Sequence, residues 1–190
     1  MDEKSFYCGK RNSYCDIMFV IGIDLATSPT IPSEIAIMNG SVIIKEVYTD
    51  EHILQIVDEY QPKVVAIDAP LSTPEDEWRS SDLEIMNMDF QMISPKIPIM
   101  LILTRRAHKL VMELRKNCKV IETNPKAVEE ILAIEKIAVE RKLDKILTDG
   151  EYDAFLCGLT AKAHFLRKTT FYGNPADIND QIFLPEKPEE

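Results

Sequence analysis

Two apolar runs, each broken by a single aspartate, constrain this chain more than anything else in it. MFVIGIDLA (18–26) carries Asp24 and VVAIDAP (64–70) carries Asp68. Continuous apolar runs rich in β-branched residues mark strands buried on both faces, and such strands need helices on either side of a sheet. That requirement points to an α/β architecture. A carboxylate in such a strand is costly unless it is paired, hydrogen-bonded or bound to a metal. A single case is often structural, but two in matching positions suggest a shared task. Open α/β sheets place their ligands at the carboxyl ends of the strands.

The remaining pattern supplies the topology. Residues 34–38 and 41–48 read as strands, and Asn39-Gly40 between them signals a two-residue type I′ hairpin. Asp50 can cap a helix that ends near Tyr60, before Pro62. After the strand that holds Asp68, residues 72–98 form a long excursion with Pro74, Pro95 and Pro98, and loops of that length tend to be functional. The pattern then predicts a helix over 99–117, a short strand over 119–124, and helical material over 126–147 broken near Arg141. It ends with a helix over 149–168 and an edge strand, QIFLP. The order is βββαβαβα with a late helical insert, a mixed central sheet flanked by helices. One domain should span residues 18–185, with an N-terminal extension over 1–17 and an acidic tail over 186–190.

Charge limits the function classes. With 22 Lys and Arg against 32 Asp and Glu, the net charge is −10. Nonspecific grip on nucleic acid needs a basic surplus, so a nucleic-acid substrate requires a local basic patch or a small contact. No apolar run reaches the roughly 18 residues that span a bilayer, and MDEKSFYCGK lacks the order of a secretory signal. A cytoplasmic protein with no membrane partner is expected. Cys8, Cys15, Cys118 and Cys157 are widely separated, which favours reduced thiols over disulfides or zinc.

The final helix offers a third acid. Asp149, Glu151 and Asp153 crowd its first turns, where acids compensate the helix dipole. That explains Asp149 and leaves Glu151 open, whereas Asp153 should face the sheet and suits a ligand role. Glu122, closing the strand VIET, is a secondary metal candidate.

GIDLA (22–26), AIDAPLS (66–72), Arg79 with Asp82, VIE-x-x-P (120–125) and EYDAFLCGLTA (151–161) together resemble a family of predicted nucleases in the ribonuclease H-like superfamily. The resemblance runs in order over residues 18–185. Thr123-Asn124 depart from the aromatic residues usual in the VIE-x-x-P motif. The resemblance implies that Asp24, Asp68 and Asp153 hold two Mg²⁺ or Mn²⁺ ions and catalyse phosphodiester hydrolysis. Structured or single-stranded nucleic acid would then be the partner, with a homodimer as the assembly considered. Arg79 and Arg105 are the substrate-binding candidates, with Arg106 and Lys109 beside Arg105. Trp78 could stack on a base. Two other readings compete: a phosphate-binding domain related to the actin and sugar-kinase ATPases, and a non-catalytic interaction module with a structural cation.

Overall fold

Asn39, Gly40 and Ser41 turn the chain between the first two of its antiparallel neighbours, and only Gly40, at φ 95°, needs a left-handed backbone. The connection therefore has three residues between the paired Met38 and Val42, one more than the sequence suggests. The computed structural model describes residues 18–188. The extension expected over 1–17 and the last two residues of the acidic tail lie outside them.

Among the described residues, seven strands form one mixed sheet and six helices flank it. The elements are β1 (Val20–Asp24), β2 (Ser33–Met38), β3 (Val42–Val47), α1 (Asp50–Tyr60), β4 (Val64–Asp68), α2 (Ser80–Met86), α3 (Pro98–Leu114), β5 (Lys119–Glu122), α4 (Pro125–Leu132), α5 (Lys136–Leu143), α6 (Asp149–Phe165), β6 (Thr169–Gly173) and β7 (Gln181–Pro185). The spatial order is β3-β2-β1-β4-β5-β7-β6. β1, β4, β5 and β7 run parallel, and the hairpin pairs are antiparallel.

Strand alternation sorts the core into two layers. Ile21, Ile23, Val65, Ile67 and Val120 pack against α1 and α3. Val20, Ala66 and Ile121 point the other way, towards α6. A third cluster, with Val128, Val139, Leu156 and Ile182, seats α4 and α5 beside α6.

The close fit of α6 on β1 depends on glycine. A Cβ on Gly22 would stand 2.1 Å from both the Ala154 carbonyl oxygen and the Gly158 nitrogen. Backbone therefore rests on backbone, and the first turns of α6 are held over the carboxyl edge of β1 and β4.

Two expectations are corrected. QIFLP is not an edge strand: β7 lies between β5 and β6, and all five of its residues are buried. The edge belongs to β6, whose Thr170 and Phe171 are exposed. The break in the helical insert falls at Ala133, which ends α4 with φ 49°, rather than near Arg141. Among the described residues, no helix is long and apolar enough to cross a membrane.

Candidate functional site

β1 and β4 pair in a register that sets Asp24 directly beside Asp68. Both share the strand parity of Val20, Gly22, Val64 and Ala66, so both face α6. Asp153, in the second turn of α6, joins them along one cleft of about 310 Å³. The same cleft is bordered by Met92, Ile93, Met100 and Lys126. The two aspartates read from buried strands thus meet as neighbours, and the aspartate of the final helix comes to them.

The three carboxylates are poorly compensated. Burial pushes Asp24 up to about 6, with repulsion from Asp153 adding to it and Lys126 opposing. Burial raises Asp68 well above the usual carboxylate range, and Asp24 and Asp153 push it further. Asp153 is raised by burial against the pull of Lys126. Its Oδ1 is fully buried without a hydrogen bond. Lys126 Nζ stands 3.5 Å from that oxygen, an ion pair by distance but too long for a good hydrogen bond.

Three further residues of this site escaped sequence reasoning. Glu34 is the register partner of Asp24 on β2, and burial and the neighbouring acids push it up to about 7. A Cβ on Gly150 would meet Asp24 Oδ2 and Glu34 Oε2 at 2.8 Å each, so the absence of a side chain there keeps room beside both carboxylates. Lys126 lies in the first turn of α4, where a positive charge opposes the helix dipole. That misplacement was the available signal for Lys126. For Glu34 it was the shared parity with Ala36 and Met38.

Other expected site residues have different work. Arg79, expected as a substrate contact within the excursion, is buried and only 3% exposed. Its Nη1 and Nη2 donate to Glu122 Oε2 and Oε1 at 2.7 and 2.6 Å, and Nε and Nη2 donate to Asp82 at 3.1 and 2.7 Å. Burial alone would lower the guanidinium's pKa, but Glu122 and Asp82 overturn that and raise it. Glu122 also accepts from Leu71 N at 2.9 Å. It pairs with Ile67 rather than Asp68, so alternation turns it towards the opposite face of the sheet. Both of its oxygens are taken, and its place is that of a structural anchor rather than the expected metal ligand.

Asp149 pairs with Lys136 at 2.7 Å. Glu151 closes a capping box with Thr148 and pairs with Lys145. Both acids serve the start of α6.

Arg105 is exposed on α3, away from the acidic cleft. With Lys109 it borders a second cleft of about 450 Å³ beside Thr27 and Pro29. Arg106 is spent on structure: its Nη1 donates to Ala26 O at 2.6 Å and its Nε to Asp50 Oδ1 at 2.8 Å. Trp78 is half-buried. Cys118 and Cys157 are free thiols, and Cys8 and Cys15 lie outside the described residues.

The donor set is chemically suited to a hard divalent cation, since every acidic group offers oxygen. Among the described residues, however, no three His, Cys, Asp or Glu side chains are placed so that they could hold a metal ion together. Mg²⁺ keeps several waters and takes only one or two protein carboxylates, so a preformed three-ligand cage is not required for it. No family model and no curated protein matches the chain.

Proposed function

We propose that this is a ribonuclease H-like, divalent-cation-dependent phosphodiesterase acting on single-stranded or locally unpaired nucleic acid. The observation that carries the reading is the in-register pair Asp24 and Asp68 beneath Asp153, whose buried Oδ1 lacks a hydrogen-bond partner. The strand order β3-β2-β1-β4-β5, with the first three strands antiparallel, supports the fold assignment.

A bound Mg²⁺ or Mn²⁺ would supply an activated water and neutralise charge at phosphorus. Asp24 and Asp68 would hold it, with Asp153 completing the acidic centre. Glu34, the register partner of Asp24 on β2, would be the carboxylate nearest to hand as general base for an attacking water. Arg79 acts on the site indirectly, fixing Glu122, which in turn accepts from the Leu71 backbone just after Asp68.

Substrate size follows from the cleft. At about 310 Å³ it sits at the small end of ligand pockets, room for one nucleotide-sized unit rather than a duplex face. The net charge of −10 favours the same limit, because it opposes binding along an extended polyanion. A second reading, an interaction module with a structural cation, draws on that same charge.

The test combines Mn²⁺ titration of the wild type and of Asp24→Asn, Asp68→Asn and Asp153→Asn with a cleavage screen. The screen covers single-stranded, branched, duplex and hybrid substrates. Loss of Mn²⁺ affinity in the variants together with cleavage of unpaired strands supports the proposal. Unchanged affinity in all three variants rejects the centre, and metal binding without cleavage of any substrate selects the interaction module.

A further inference from the structure

We infer that Lys126 is an exchangeable counter-ion, resting on Asp153 in the cation-free protein and passing to a phosphate oxygen of the bound strand once a divalent cation occupies the aspartates. The inference rests on the acidic-centre reading above. Four observations carry it. Lys126 Nζ is 3.5 Å from Asp153 Oδ1, yet that oxygen remains without a hydrogen bond. The lysine side chain is 66% exposed, so its ammonium can leave Asp153 without crossing protein. It borders the same cleft as Asp24, Asp68 and Asp153. It occupies the first turn of α4, next to Pro125, where the helix gains nothing from a cation.

The physical logic is charge exchange. The pair is long and its ammonium end is exposed to solvent, so a divalent cation arriving at Asp153 can displace the ammonium. The freed lysine then has a flexible four-carbon stem and three donors at the mouth of the cleft, suited to a phosphate as a point charge. Arg79 cannot do this, because both edges of its guanidinium are held by Asp82 and Glu122.

The experiment uses the full chain and the variants Lys126→Gln and Lys126→Arg, with circular dichroism to confirm folding. Mn²⁺ binding is followed by electron paramagnetic resonance. Binding of a fluorescein-labelled single-stranded DNA in Mn²⁺ is followed by anisotropy. Lys126→Gln should bind Mn²⁺ roughly three- to tenfold tighter, because a competing charge is gone. It should bind the strand roughly tenfold more weakly, with a salt slope shallower by about 0.7, as for one lost phosphate contact. Lys126→Arg should stay near wild type in both.

Unchanged or weaker Mn²⁺ affinity in Lys126→Gln overturns the exchange. Unchanged strand affinity overturns the phosphate contact. If the wild type binds Mn²⁺ through the aspartates and Lys126→Gln behaves identically, this inference alone fails. If Asp153→Asn, Asp24→Asn and Asp68→Asn all leave Mn²⁺ affinity untouched, the acidic centre fails and takes the inference with it.

Discussion

Two groups of carboxylates lie along one cleft, one buried and the other half-buried, and they are treated in opposite ways. Asp82 and Glu122 are more deeply buried than Asp153, yet all four of their oxygens are bonded, chiefly by Arg79. Among the described residues, the cation that opposes the charge of Asp24, Asp68 and Asp153 is Lys126, 3.5 Å from Asp153 Oδ1. Burial raises the carboxyls of both Glu122 and Asp68, but the Arg79 guanidinium opposes the effect at Glu122, whereas at Asp68 the opposing charge is Lys126. The difference separates a network whose charges are matched from a cluster left with an excess of negative charge.

Breaking the matched network should have the largest effect. Arg79→Ala strands two buried acids, and the expected loss of stability is about 3–5 kcal/mol, read from the denaturant midpoint. An unchanged midpoint would show that the triad is not what holds this end of the sheet. Gly22→Ala comes next. Its Cβ would meet backbone on α6, so the cost belongs at the upper end of the roughly 1–3 kcal/mol seen for overpacking, with weaker Mn²⁺ binding as Asp153 moves.

The unmatched cluster gives a pH signature of similar size. Asp24 titrates near 6 when folded against an ordinary 3.8, so the native state holds its proton longer than the unfolded chain. Its contribution is therefore fully present below about pH 4 and is lost as pH rises through 6. The amount is roughly 2–3 kcal/mol, and Mn²⁺ should flatten the slope. Thermal melts from pH 4 to 7.5, with and without Mn²⁺, check the sign; a slope that ignores Mn²⁺ would separate the titration from cation binding.

Asp68→Asn at neutral pH should raise cation-free stability by about 1 kcal/mol, because it relieves repulsion while abolishing stabilisation by Mn²⁺. The smallest effect is expected at Arg105→Ala. That exposed side chain should change stability by less than about 0.5 kcal/mol, and strand affinity should hold if the acidic cleft alone carries the substrate.

Much of this was legible locally. α1 ends at Tyr60 as expected, because Pro62 forbids its extension, but its cap is Thr49 rather than Asp50, which is the first helical residue. β1 and β4 were marked by their β-branched runs, and Asp24 and Asp68 stood out because a buried strand rejects a lone charge. Dipole compensation explains Asp149 from the sequence alone, whereas the capping role of Glu151, left open there, is visible only in its bonds to Thr148 and Lys145. β6 went unread, since Thr169–Gly173 gains strand character only by pairing with β7.

By itself, the sequence determined which residues are costly to bury: the short-range period of apolar side chains reveals that, and it marks Asp24, Asp68 and Asp153. Only the tertiary structure decided how each cost is met. Arg79 and Glu122 are 43 positions apart, and nothing local marks one as the other's partner. Strand register, not spacing, brings Glu34 to Asp24 and turns Glu122 away from Asp68. A carboxylate's role depends on which charges reach it through space, and chain closure over tens of residues sets those distances.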